Sequence, residues 1–197
     1  PIMIDIEVLT PKQSAENIEE ELAKFAEKFN QVIEAGYSVS MPDNPMGEPR
    51  FKALEVILEL DLPCKPEQML LHVNTFHTRE DLDNILKEAI ALNARRMLVI
   101  SGDGGERLAK LSPASIGMNG NAVTSVELLQ YIHREYPGEF DTGVAFNPYE
   151  PQEHELEKMK RKIEAGARYI ITQPIVGRDD RLDALRAFGV PVTLGAW

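Results

Sequence analysis

The order of apolar segments constrains the fold of this chain more than any other feature. Short apolar runs alternate with longer amphipathic segments along 197 residues. The first run, from Ile2 to Leu9, predicts a strand. Apolar residues spaced three and four apart from Ile18 to Phe29 predict a helix, and Pro11 is well placed at its start. This alternation, continued along the chain, predicts a parallel sheet covered by helices.

The rest of the chain follows the same pattern. Further strands are predicted at 37–41, 68–75, 96–101, 142–146, 169–172 and 190–194, and further helices at 51–60, 79–93, 153–164 and 180–188. Thr124 is suited to cap one more helix, which ends at Pro137 and Gly138. The total is seven strands and six helices.

Long polar loops follow several strands, at 42–47, 102–121 and 147–151, where a β/α barrel builds its active face. An open doubly wound sheet places its site there too. However, the chain has neither G-x-G-x-x-G after the first strand nor a phosphate-binding G-x-x-x-x-G-K-[ST] motif. We therefore predict a (β/α)8 barrel-type α/β fold in one domain, residues 1–197, with the eighth strand and last helices absent.

Composition and charge exclude several classes of function. The chain has 32 acidic and 21 basic residues and a net charge of −11, which argues against a nucleic-acid partner. No apolar stretch approaches the ~20 residues of a membrane span, and no signal peptide is evident. Cys64 is the single cysteine, so an internal disulfide and a cysteine-built metal site are excluded. These features predict a cytoplasmic protein that binds neither membranes nor nucleic acids.

Two carboxylates are the first candidates for chemistry. Glu7 interrupts the apolar run of the first strand, where a carboxylate is costly to bury unless it lines a cavity or is hydrogen-bonded. Asp103 follows the fourth strand in a glycine-rich turn, and Gly102 before it allows a ligand to approach the backbone. The alternatives are a solvated Glu7 and an Asp103 that only forms a turn.

Further polar candidates lie at other strand ends. Gln173 ends the sixth strand, and its amide can both donate to and accept from a flat heterocycle. Asn147 follows the fifth strand, although an Asn-Pro turn explains it equally well. His72 and His77 are badly spaced for a shared metal, and we predict no metal site.

A basic segment completes the candidates. Most of the cations from Lys158 to Lys162 fit a solvated helix face balanced by glutamates. Arg161 and Lys162 are nevertheless spaced to meet a ligand phosphate on one turn of that helix.

Four motifs, taken together, resemble those of the methylenetetrahydrofolate reductase family. The most specific runs from Lys160 to Gln173, KRKIEAGARYIITQ, and resembles the signature K-R-K-x-x-A-G-A-x-x-x-x-T-Q. IEVLTPK from Ile6 is similar to S-x-E-x-x-P-P-[KR], LHVNT from Leu71 to H-L-T-C, and VISGD from Val99 to a strand ending in R-G-D. The likeness extends over nearly the whole chain.

The resemblance implies a β/α barrel that holds FAD and passes hydride from NAD(P)H to 5,10-methylenetetrahydrofolate, forming 5-methyltetrahydrofolate. By motif, Glu7 is the expected general acid, Asp103 lies near the flavin and the folate, and Gln173 binds the pterin. The expected flavin contacts are Ser40, His72, Gly102, Asp103, Asn147, Arg161 and Lys162.

Two departures keep alternatives open. Ser101 stands where the family often has an arginine at the flavin phosphates, and GDGG replaces G-D-P-P. A flavin-independent pterin reductase, or a folate- or flavin-binding partner subunit without its own turnover, are therefore alternatives. An incomplete barrel exposes a strand edge, which also favours a homo-oligomer.

Overall fold

The computed structural model describes residues 3–63 and 65–196. Seven parallel strands form one sheet in chain order: β1 (Asp5–Glu7), β2 (Ser38–Met41), β3 (Met69–Val73), β4 (Arg96–Val99), β5 (Asp141–Phe146), β6 (Tyr169–Pro174) and β7 (Val192–Gly195). Six α-helices alternate with them: α1 (Ile18–Glu34), α2 (Ala53–Glu59), α3 (Arg79–Ala91), α4 (Ser125–Glu135), α5 (Gln152–Glu164) and α6 (Asp180–Leu185). The predicted strand and helix order is confirmed.

The sheet curls like a barrel wall but stays open. Within the described ranges there is no eighth strand, and β1 and β7 are not paired with each other. The barrel-type fold with seven of eight strands is therefore confirmed. No helix of the described part has the length and apolar character needed to cross a bilayer. The predictions made for Ile2, Cys64 and Trp197 lie outside the described residues.

The prediction for the start of α1 is wrong, because the helix begins at Ile18 rather than Pro11. The carbonyl of Pro11 accepts the backbone N–H of Phe51 at 3.0 Å, and Gln13 N donates to Pro49 O at 3.0 Å. These bonds, with the antiparallel bridge between Lys12 and Arg50, fasten the loop after β1 to the loop after β2. Lys12 is thereby held in the bridge, and a turn follows in which the Ala15 N–H donates to the Lys12 carbonyl at 3.1 Å, so this segment does not join the helix.

Alternate strand residues face opposite sides of the sheet, as strand geometry requires. The row facing the helices is apolar and buried: Val39, Met41, Met69, Leu71, Val73, Met97, Val99, Val144, Phe146 and Ile170. The concave row carries most of the polar residues, together with a small separate apolar cluster of Leu70, Leu98 and Tyr169. The register pairs Asp5 with Ser38 and Glu7 with Ser40, so both strand-borne carboxylates share the concave side.

A charged cluster closes the amino-terminal end of the concave face. The Arg96 guanidinium lies 3.3 Å from Asp5 and 3.2 Å from the hydroxyl of Ser38, and 6.0 Å from the centre of the Tyr169 ring. Burial raises the pKa of Tyr169, whose neutral hydroxyl donates to the carbonyl of Asp141 at 3.3 Å. The cluster links β1, β2, β4, β5 and β6 at this end.

The ring of Tyr169 occupies the space beside Gly143, its register partner on β5. A Cβ atom on Gly143 would lie 1.9 Å from Cε2 of Tyr169. Only glycine therefore fits at this point of β5.

We expect Gly143→Ala to destabilise the protein by about 1–3 kcal/mol, the usual cost of overpacking a well-packed site. Urea unfolding of the wild type and the variant measures the change. In a Tyr169→Leu background the same methyl group should cost clearly less, because the ring that it meets is gone. An unfolding midpoint that Gly143→Ala leaves unchanged in the wild-type background would contradict this packing.

Candidate functional site

Three polar side chains from neighbouring strands line the carboxyl-terminal half of the concave face. Glu7 on β1 is the register partner of Ser40 on β2, and the Ser40 hydroxyl lies 2.7 Å from Nε2 of His72 on β3. The Glu7 side chain is exposed, whereas Ser40 is buried. The structure thus brings together three of the predicted site residues, with the carboxylate open to a ligand.

His72 is held in its neutral form. Burial lowers its pKa to about 4, against the opposing charges of Asp43 and Asp5. A neutral imidazole has one N–H donor and one acceptor nitrogen, and the Ser40 hydroxyl can complement either at Nε2. The pair therefore offers a ligand hydrogen bonds without a net charge.

The loops after β2 and β3 are joined by a compact polar cluster. The Asp43 carboxylate accepts the backbone N–H of Asn74 at 2.9 Å and lies 2.6 Å from Nε2 of His77. In return, the Asn74 amide donates to the carbonyl of Asp43 at 2.7 Å. Sequence reasoning missed Asp43, although it lies in the polar loop after the predicted strand 37–41, and it missed Asn74, which it placed inside the predicted strand 68–75. They fix the rim on which His72 lies.

Gly102 is required by this cluster. Its backbone has a φ of +82°, and a Cβ atom there would lie 2.6 Å from the side chain of Asn74. The space beside Gly102 is thus filled by a protein side chain. Its contact with a cofactor stays a prediction.

Asp103 lies in the loop after β4, next to the loop after β2. Its carboxylate accepts the backbone N–H of Met46 at 3.0 Å, and Gly47 packs directly against Gly104 and Gly105. The Asp103 side chain remains exposed. Asp103 therefore lies at the carboxyl-terminal rim of the site, where it holds two loops together and is open to a ligand.

Asn147 and Gln173 lie at the ends of β5 and β6. The side-chain oxygen of Asn147 accepts the N–H of Tyr149 at 2.9 Å, which is the Asn-Pro turn expected from the sequence. Tyr149 in turn donates its hydroxyl to the carbonyl of Pro174 at 2.7 Å. Gln173 is exposed, and its side chain makes no hydrogen bond with another described residue. Its amide is available for a ligand.

The structure separates Arg161 from Lys162 on α5. Arg161 is exposed, and its charge acts on Glu127 of α4. Lys162 donates to the carbonyl of Ala145 on β5 at 3.1 Å, and burial lowers its pKa. Ser101 accepts the N–H of Ser125 at 3.2 Å, so its hydroxyl is directed toward the start of α4.

A cavity of about 270 Å³ adjoins this rim. Its wall includes His72, Asp43 and His77, and it extends between the loop after β2, the start of α3 and residues 107–109. Among residues 3–63 and 65–196, no group of three or more His, Cys, Asp or Glu side chains is placed to hold a metal ion.

Comparisons with known proteins bear on the family and the fold of this chain. The family model for methylenetetrahydrofolate reductase matches residues 1–188. Methylenetetrahydrofolate reductase 1 of Schizosaccharomyces pombe is 28% identical over 123 residues, which are 58% of this chain and 20% of that protein. The chain thus spans about a fifth of the length of this curated relative.

A solved structure shares the fold. It is an uncharacterized protein from Clostridium thermocellum that binds two copies of 5-methyl-5,6,7,8-tetrahydrofolic acid. The TM-score is 0.52 at 13% sequence identity, over 98% of this chain and 64% of that chain.

The low pKa of His72 makes stability depend on pH. Because the folded-state pKa of about 4 lies below the unfolded value of 6.5, the unfolded chain binds more protons between these values. The stability that the neutral His72 contributes to the fold is complete above pH 6.5 and is lost as the pH falls toward 4. We expect His72→Gln to reduce the loss of stability between pH 7.5 and 4.5 by about 2–3 kcal/mol. Urea unfolding at both pH values measures it, and equal losses in both proteins would contradict a neutral, buried His72.

Proposed function

The chain belongs to the methylenetetrahydrofolate reductase family, and we propose that its concave face binds a reduced folate and reduces 5,10-methylenetetrahydrofolate to the 5-methyl form. NAD(P)H is the proposed source of hydride. The observation that carries this proposal is the row of Glu7, Ser40 and His72 on three adjacent strand ends. An exposed carboxylate beside the neutral pair of the Ser40 hydroxyl and the His72 imidazole is suited to a reaction that needs an acid and uncharged hydrogen-bonding groups.

Glu7 is the proposed general acid. Its carboxyl group is accessible from the open side of the sheet, so a bound folate can take a proton from it. Protonation of the folate allows the reactive iminium of the substrate to form. The position of Glu7 on a strand, with Ser40 directly across the ladder, holds the acid on a rigid element.

Two other side chains are proposed to orient the folate. The Gln173 amide has both a donor and an acceptor available for the amide-like edge of a pterin. Asp103 lies at the rim, where its negative charge acts on the bound ring. The shared fold of the Clostridium thermocellum protein, which binds 5-methyltetrahydrofolate, supports the choice of this ligand for testing.

FAD is the proposed cofactor, and the residues on the concave face fit its ring. The neutral Ser40–His72 pair would supply polar contacts to the ring, and the partly buried Ile100 and Ile171, which pack on Leu70 and Leu98, would supply apolar ones. Asn147, Gly102 and the two cations Arg161 and Lys162 are the other proposed contacts. When bound, FAD supplies hydride transfer, and the protein supplies binding and orientation.

A flavin-independent pterin reductase is a second candidate. Ser101 is bonded to the start of α4 and Arg161 is exposed near Glu127, so two positions expected to serve the flavin phosphates bear other contacts. Hydride would then pass directly from a nicotinamide to the pterin.

We expect Glu7→Gln to lower the rate of folate reduction by about 10²- to 10⁴-fold, the usual contribution of a general acid. Because the amide keeps the size of the side chain, binding of 5-methyltetrahydrofolate should change little. Steady-state reduction of methylenetetrahydrofolate, with the binding constant measured by titration calorimetry, separates the two effects.

Glu150→Gln is the matched control, because Glu150 is an exposed carboxylate in the loop after β5. Its rate should equal that of the wild type. Unchanged folate turnover in Glu7→Gln would overturn the assignment of the acid. A wild-type protein that binds folate but never reduces it would instead indicate a binding subunit.

The absorbance spectrum of the purified protein distinguishes the two reductase candidates. We expect a flavin spectrum and the release of FAD on denaturation. Folate reduction by colourless protein that takes up no added FAD would favour the direct transfer.

A further inference from the structure

A second cavity, of about 600 Å³, lies outside the proposed folate site, beside the carboxyl end of β1. The loop after β1, one face of α1 and Arg50 form its walls. Glu21, Lys24 and Lys28 follow one another at helical spacing on the α1 face, with Phe25 buried below them. The cavity therefore has an apolar floor and a charged rim.

Positive charge predominates around this cavity, although the protein as a whole carries a net charge of −11. Four cations line it, Lys12, Lys24, Lys28 and Arg50, against the two carboxylates of Glu16 and Glu21. Lys24 is already neutralised, since its Nζ lies 2.9 Å from Glu20 and 3.2 Å from Glu21.

Three cations remain without a counter-ion. Within residues 3–63 and 65–196, no carboxylate oxygen lies within 4.0 Å of a nitrogen of Lys12, Lys28 or Arg50. These three unpaired cations line the same cavity, so the cavity carries an excess of positive charge although the protein as a whole is acidic. An anion would balance it.

Arg50 provides a second, independent observation. Its Nη1 donates to the carbonyl of Thr10, but its Nε is buried and has no hydrogen-bond partner. Among the described residues, it is the single buried side-chain nitrogen or oxygen atom that lacks a hydrogen-bond partner. A buried N–H without an acceptor is unfavourable, so this guanidinium is one acceptor short.

The backbone around Arg50 is held in place before any ligand arrives. The Arg50 backbone N–H donates to the Asn44 side chain at 2.8 Å, and its carbonyl accepts the Gln13 amide at 3.2 Å. The Thr10 hydroxyl donates to the carbonyl of Phe51 at 2.6 Å in the same paired segment. Because both loops are fastened here, binding an anion requires little ordering of the backbone.

We propose that this cavity is an oxyanion site, in which Arg50, Lys12 and Lys28 bind a carboxylate or phosphate group. Guanidinium nitrogens match the paired oxygens of both groups, and the two lysines add point charges. Two sources have this chemistry: the glutamyl carboxylates at the tail of a folate, and a free or ligand-borne phosphate.

The test is titration calorimetry with pyrophosphate, pteroylmonoglutamate and pteroyltriglutamate on the whole chain. We expect Arg50→Gln and Lys28→Gln each to weaken binding of the anionic probe by about 10-fold or more. Lys87→Gln is the matched control, because Lys87 is an exposed lysine on α3 that does not line this cavity; the variant should bind the probes as the wild type does.

The two sources give different results. Tighter binding of the triglutamate than of the monoglutamate, lost in Arg50→Gln, identifies the folate tail as the ligand. Pyrophosphate binding without any preference between the two folates identifies a phosphate ligand. Either result stands even if folate reduction fails, because the pyrophosphate titration does not depend on turnover.

Two results would overturn the oxyanion site. One is that the wild type does not bind pyrophosphate and also binds the triglutamate no more tightly than the monoglutamate. The other is an equal loss of binding in Lys87→Gln, which would show only an effect of the protein's net charge. If Arg50→Gln does not fold, as judged by circular dichroism, Lys28→Gln decides, since Lys28 is exposed and makes no hydrogen bond with the described residues.

Discussion

Burial of the helix-facing strand residues is the constraint on which the rest of the structure depends. Side chains such as Met69, Met97 and Val144 alternate with the concave row, and they are fully buried beneath the helices. A register shift of one residue would move them into the concave face and press Ser40 against a helix. The apolar row thus places Glu7, Ser40 and His72 together on the concave side, although the Glu7 side chain makes no hydrogen bond with another residue of the described ranges.

The two ends of the concave face are held together by different interactions. At the amino-terminal end, Arg96 and Asp5 form a partly buried pair whose disruption would leave an uncompensated charge. At the carboxyl-terminal end, loops are fastened to one another by Asp43 with Asn74, and by Asp103 with the backbone of Met46. One end is closed by charge pairing, while the other has a rigid rim around exposed polar groups. This division suits the proposed binding of a flat folate ring with the Glu7 carboxylate left accessible.

The sequence was sufficient to predict the order of the strands and helices and to place some candidate site residues on them. Short apolar runs and stripes of period 3.6 predicted every strand and α-helix in order, and they placed Glu7 within the first strand, where the structure has it. The start of α1 was missed because Pro11 is held by Phe51, a contact 40 residues away that no local pattern reports. The pairing of Asp43 with Asn74, like the unpaired Nε of Arg50, depends on loops that meet only in the folded chain.

Mapping a bound reduced folate on the protein tests the central claim most directly. We would titrate isotope-labelled protein with 5-methyltetrahydrofolate and follow the backbone amide resonances. The largest changes are expected at Glu7, Ser40, His72 and Gln173, at the carboxyl-terminal end of the concave face. Changes confined to the opposite end, around Arg96 and Tyr169, or no binding at all, would contradict a folate site on this face.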